Sequence, residues 1–150
     1  MQFSSIDEIL DFAIEREEQA AKMYSKLANT VERPGIRQAF LEFAAEEGKH
    51  KARLMRVKAG DLKPVKMEKI ADLKITEDLV EPEISKHMNY QEVLVFAMKS
   101  EKIAFLLYTR LAQATDDPEL SLIFQELAQE EAKHKLHFEI EYDDRILEGV

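Results

Sequence analysis

Displaced by 84 residues, the chain matches itself: Glu8, Leu10, Phe12, Ala13, Glu17, Ala20, Tyr24, Leu27, Ala28 and Pro34 fall on Glu92, Leu94, Phe96, Ala97, Glu101, Ala104, Tyr108, Leu111, Ala112 and Pro118. Further along, Phe40, Glu42, Ala44, Glu46, Glu47, Lys49, His50 and Lys51 fall on Phe124, Glu126, Ala128, Glu130, Glu131, Lys133, His134 and Lys135. Helix packing alone could repeat apolar residues, but it would not also repeat a proline, a tyrosine and a Glu-x-x-His pair. Residues 8–51 and 92–135 are therefore read as two copies of one unit. Whatever the first copy folds into, the second must fold into as well.

That unit is a helical hairpin. Ser5 and Glu8 have the spacing of a capping box, and behind them Ile6, Ile9, Leu10, Ala13, Ala20, Tyr24, Leu27 and Ala28 set an apolar stripe at helical period up to about Thr30. Arg33, Pro34 and Gly35 interrupt it, and Ile36, Ala39, Phe40, Phe43, Ala44, Leu54 and Val57 continue as a second helix closed by Ala59, Gly60 and Asp61. A third helix is expected from about Asn89, with Glu92 placed for a capping box. A fourth is expected from Asp117 and Pro118, as N-cap and N1, to about Ile146. Residues 61–88, with Pro64 and Pro82 and only a short apolar pattern at Ile70, Leu73 and Ile75, read as a crossing connection with one or two turns of helix. The expected fold class is all-α: one domain over residues 1–150, an antiparallel four-helix bundle with pseudo-two-fold symmetry and a long crossover between its second and third helices.

Charge and cysteine usage narrow the chemistry. Thirty acidic residues against 21 basic ones give a formal net charge of -9, which argues against nucleic acid or an anionic membrane as partner, since phosphate binding runs on excess positive charge. Cysteine is absent, which removes disulfides, thiol nucleophiles and sulfur-ligated metal sites. The opening MQFSSIDEIL shows no export pattern, and no window approaches a membrane-spanning apolar run, so a cytoplasmic setting is expected.

Polar residues then fall where a core should be. Glu17 precedes Tyr24 by seven residues, and Glu101 precedes Tyr108 by seven; at about 100° per residue each glutamate returns to within roughly 20° of its tyrosine's apolar face. Glu47 precedes His50 by three and Glu131 precedes His134 by three, on adjacent turns. Singly, a Glu-x-x-His pair is common on a solvated face; two copies in register with a repeated Glu and Tyr are not. Four ionised carboxylates in a dry interior would repel and carry a large desolvation cost. Two divalent cations cancel their charge, and each neutral imidazole adds one nitrogen.

One Glu from each of two helices plus Glu-x-x-His from each of the other two is the ligand set of a di-metal carboxylate bundle. The expected ligands are Glu17, Glu47, His50, Glu101, Glu131 and His134, with Glu47 and Glu131 bridging and Glu17 and Glu101 terminal. Nitrogen and oxygen ligands without sulfur suit iron, manganese or zinc, and a redox role favours iron. Tyr24 and Tyr108 are placed to donate hydrogen bonds to ligand carboxylates. Glu42, Glu46, Glu126 and Glu130 repeat too, but their angular offsets point away from the bridging residues, towards solvated faces or an entry path, and His137 is read as a surface or locally hydrogen-bonded residue.

The strings EREEQAAKMYSKLA from Glu15, EFAAEEGKH from Glu42, SEKIAFLLYTRLA from Ser100 and ELAQEEAKH from Glu126 resemble the ferritin-like diiron domains of the rubrerythrin type, over residues 5–146. The resemblance implies a ferritin-like bundle and the same six metal ligands. It also implies self-association as a homodimer or higher oligomer, and reduction of hydrogen peroxide by cycling of a diiron pair. Two departures stand out. The rubrerythrin pattern carries an extra carboxylate three residues beyond the third-helix ligand, where this chain has Ala104, and a rubredoxin-like four-cysteine module that this cysteine-free chain lacks.

The leading expectation is a non-haem di-metal oxidoreductase acting on hydrogen peroxide or oxygen, with electrons from a separate donor protein. The alternatives are a ferroxidase serving iron detoxification or storage, favoured by a near-symmetric ligand set, and a non-enzymatic bundle in which metals serve assembly or sensing.

Overall fold

The computed structural model describes residues 5–61 and 88–147. The connection expected to carry a turn or two of helix falls on residues 62–87, outside the described residues. The described residues form helices and no strand, in the order α1 (Ile6–Thr30), α2 (Pro34–Arg56), α3 (Tyr90–Ala114) and α4 (Pro118–Tyr142), with π-helical turns at Val57–Asp61 and Asp143–Leu147. Two compact units result, one holding α1 and α2 and the other α3 and α4. This division follows the sequence repeat.

In the first hairpin, Ser5 Oγ accepts from the Glu8 amide at 3.2 Å and starts α1. Val31, Glu32 and Arg33 make the link, too short for anything but an antiparallel return. The second helix begins at Pro34 rather than Ile36: its proline takes N1, where no amide donor is needed, behind an Arg33 N-cap that makes no side-chain cap. Lys58 near the end of the unit pairs with Asp11 near its start, as antiparallel helices require. Gly60, at φ 111°, closes the last turn with a left-handed residue, which costs glycine little.

The second hairpin is better capped. Asn89 and Glu92 form the full reciprocal box, Asn89 Oδ1 accepting from the Glu92 amide at 2.8 Å and Glu92 Oε1 from the Asn89 amide at 3.2 Å. Asp117 Oδ1 accepts from the Glu119 and Leu120 amides at 2.9 and 3.3 Å, with Pro118 at N1. Ser121 Oγ donates to the Ala112 carbonyl at 2.9 Å across the link. At the opposite end the Tyr90 hydroxyl donates to Glu141, and Gln91 to the Tyr142 hydroxyl at 3.1 Å. The final turn widens to π geometry and carries the helical run to Leu147.

Each hairpin buries one stripe. On α1 it comprises Ile9, Leu10, Ala13, Glu17, Tyr24, Leu27 and Ala28; on α2 Ile36, Ala39, Phe40, Phe43, Glu47, His50 and Leu54. On α4, Leu120, Phe124, Leu127, Ala128, Glu131, His134 and Phe138 follow the same three- and four-residue steps. The charged residues sit inside these stripes: Glu17 four after Ala13, Glu47 four after Phe43, Glu101 four after Ala97. No helix among the described residues is long and apolar enough to cross a membrane.

Candidate metal centre

Among the described residues, the buried polar or charged side chains are Glu17, Glu47, His50, Glu101, Glu131 and His134, each at most 4% exposed. These are the six that the repeat singles out. In the first hairpin, α1 supplies Glu17 and α2 supplies Glu47 and His50. Each offers one donor atom, all within 4.8 Å of one another. His50 Nδ1 stands 3.5 Å from Glu17 Oε2 and 3.4 Å from Glu47 Oε1. The second hairpin repeats the arrangement: Glu101 from α3 meets Glu131 and His134 from α4, again within 4.8 Å, with His134 Nδ1 3.4 Å from Glu101 Oε1.

These distances exceed a good N–H···O hydrogen bond. Buried carboxylate and imidazole atoms normally close on one another or on backbone; here Glu17 Oε2, Glu47 Oε1, His50 Nδ1, Glu101 Oε2, Glu131 Oε1 and His134 Nδ1 take part in no hydrogen bond. Two carboxylates and an imidazole nitrogen aimed at a shared point match the donor preference of a first-row divalent ion. In both hairpins Nδ1 is the imidazole nitrogen that faces the carboxylates.

Tyr24 and Tyr108 are buried to 1% exposure or less. The Tyr24 ring stacks on Phe40 at 5.9 Å and meets Phe43 edge-on at 6.0 Å; Tyr108 stacks on Phe124 at 6.1 Å. Phe40 and Phe124 are thus the stacking partners of the two tyrosines, a pairing the apolar pattern alone did not assign. Their signal was present, a repeated Phe sixteen residues after each repeated Tyr. Glu42, Glu46, Glu130 and His137 are exposed, as expected of solvated faces, whereas Glu126 is half-buried. His137 lies edge-on to Phe138 at 5.9 Å.

Ion pairs outside the ligand set hold the first hairpin in register. Lys51, next to His50, reaches Glu18, next to Glu17, at 3.2 Å. The Lys51 hydrogen bond and the charges of Lys51 and Lys22 hold the Glu18 carboxyl below its usual range. The hydrogen bond to Asp11 pushes the Lys58 ammonium up.

The chain matches the rubrerythrin family model over residues 8–142. No curated protein matches it. Among solved structures it is similar to a candidate ferritin-like diiron-carboxylate protein from Thermotoga maritima, with TM-score 0.77 and 21% identity, covering 97% of this chain and 98% of that one. It is also similar to a hypothetical protein from Pyrococcus furiosus, with TM-score 0.72 and 23% identity, covering 93% of this chain and 89% of that one. The fold class is therefore the ferritin-like four-helix bundle, all-α. With its helices, its buried Glu-Glu-His sets and a family match spanning both halves, the chain belongs to the rubrerythrin family.

Proposed function

We propose that the six buried residues hold a pair of divalent metal ions, iron before manganese or zinc, and that the protein is a non-haem di-metal oxidoreductase reducing hydrogen peroxide or oxygen with electrons from a separate donor protein. The observation that carries this reading is the burial of a Glu-Glu-His set in each hairpin with its donor atoms within 4.8 Å. Buried carboxylates are tolerated when cations offset their charge, and family membership supports the same ligand assignment.

Glu47 and Glu131 would bridge, Glu17 and Glu101 would be terminal, and His50 and His134 would each give Nδ1. When bound, an iron pair supplies two electrons and Lewis acidity for cleaving an O–O bond. The chain's own part is positional. The α-helices fix Glu47 with His50, and Glu131 with His134, on consecutive turns, so carboxylate and imidazole cannot drift apart. The tyrosine hydroxyls would donate to terminal carboxylates and steady them. The surrounding apolar stripes exclude water, which strengthens every charge interaction inside.

Ferroxidase chemistry is the second reading, favoured by the equality of the two ligand sets and by Ala104 where a further carboxylate would break it. Stopped-flow spectroscopy of Fe(II)-loaded protein separates them. Repeated turnover with peroxide plus reductant and little iron release supports the first; net Fe(II) consumption tied to oxygen supports the second. No redox change with either oxidant would leave the metals a structural role and overturn both.

A further inference from the structure

The two hairpins keep their buried ligand residues in register but diverge on one outer face. In the first hairpin Glu18 and Lys51 form an ion pair across α1 and α2 at 3.2 Å, and the register positions beside them are Ala21, Lys22 and Ala52. In the second copy these positions become Lys102, Lys135, Phe105, Leu106 and Leu136. The carboxylate that Lys51 and Lys22 share, at 3.2 and 4.0 Å, has become a second lysine. Two small residues and a charged one have become large and apolar.

These residues line a cavity of about 360 Å³ between α3 and α4, within the volume range of small-ligand pockets, roughly 300–1,000 Å³. Phe105, Leu106 and Leu136 form its apolar walls and Lys102, Lys135 and Glu139 its polar edge. Leu136 remains 54% exposed, so its apolar surface is not consumed by the hairpin's own packing. Glu139 is engaged by Lys135. Lys102 forms no ion pair among the described residues and is the cavity's surplus positive charge, in a chain whose net charge is -9. A cation beside an apolar wall selects for a ligand with both characters, since an inorganic anion would not use the wall and a hydrocarbon would not use the lysines.

We propose that this cavity binds an amphipathic monocarboxylate, its carboxylate between Lys102 and Lys135 and its hydrocarbon chain against Phe105, Leu106 and Leu136. Glu139 competes with the ligand for Lys135. The site lies on α3 and α4 residues other than the metal ligands Glu101, Glu131 and His134, and is independent of the metal assignment.

Octanoate titrated into the full-length protein, followed by calorimetry and by amide chemical shifts, tests this. One site per chain is expected, with the largest shifts around Lys102, Leu106 and Leu136. Hexanoate, two methylenes shorter, should bind about 15-fold more weakly, since each buried methylene is worth roughly fourfold. Octanol should bind more weakly than octanoate. Lys102→Glu and Leu136→Ala, which restore the first hairpin's residues, should each weaken octanoate at least about tenfold, and Glu139→Gln should tighten it. Helix content and metal uptake of each variant are measured alongside, so loss of folding is distinguished from loss of the site. The proposal is overturned if octanoate does not bind, if Lys102→Glu binds it as well as the parent, or if octanol binds equally. Failure with a full metal complement leaves the metal centre standing.

Discussion

Glu47 occupies a place in α2 that a leucine would fill: four residues after Phe43, three before His50, and 1% exposed. A carboxylate ionised at this depth carries a desolvation cost, which the proposed cation would offset. Glu47→Gln keeps the shape and removes the charge. Its metal-free form should melt several degrees above the parent, from about 1–3 kcal/mol recovered at about 2–4 °C per kcal/mol for a chain of this size, while its stabilisation by Mn(II) falls away. Thermal melts with and without Mn(II) check both signs; a metal-free variant less stable than the parent contradicts the account. Tyr24 divides differently, its ring serving packing and its hydroxyl the proposed hydrogen bond. Tyr24→Ala should cost about 3–5 kcal/mol in denaturant unfolding, whereas Tyr24→Phe should leave stability within about 1 kcal/mol and weaken metal affinity about 10–100-fold. The glutamates and histidines are legible in sequence because the repeat carries chemistry as well as hydropathy. The Tyr24–Phe40 stack is not, because it depends on how a three-residue link sets one helix against the next.

The four helices differ in how firmly their starts are fixed. Asp117 caps two amides of α4, whereas its repeat counterpart Arg33 caps none. Asp117→Ala should therefore cost about 1 kcal/mol and Arg33→Ala almost nothing, by urea unfolding. Such starts are readable wherever a side chain makes the cap, as at Ser5, Asn89 and Asp117. The start of α2 is less readable, because Pro34 satisfies N1 by lacking a donor. Helix ends are the least legible, since the widened turns at Val57–Asp61 and Asp143–Leu147 rest on backbone bonding with no residue signature beyond Gly60. The Glu18–Lys51 pair gives the first hairpin a pH dependence. The folded-state pKa of Glu18 is depressed, so its contribution is present above the unfolded value and is lost as pH falls through the folded one. Glu18→Gln should thus differ from the parent at neutral pH and converge with it on the acid limb of a stability–pH profile. A gap that persists in acid would assign the difference to packing.

Across the molecule, the 84-residue repeat sets the same helical hairpin and the same buried Glu and Glu-x-x-His residues in both halves. At 21% identity to a ferritin-like relative the fold persists, because it needs a helical stripe rather than particular residues. The outer cavity of α3 and α4 is legible in the sequence only as a departure from the repeat, at Lys102, Phe105, Leu106 and Leu136. The metal pair is a claim about the whole chain, since ions held by the folded state alone stabilise it by mass action, about 2.7 kcal/mol at a hundred times the dissociation constant. Counting iron after anaerobic Fe(II) loading and removal of excess metal tests that claim most directly. Two irons per chain, lost in a variant carrying both Glu47→Gln and Glu131→Gln, is the expected result. Substantially fewer than two in the parent chain, with no gain in melting temperature, would contradict it.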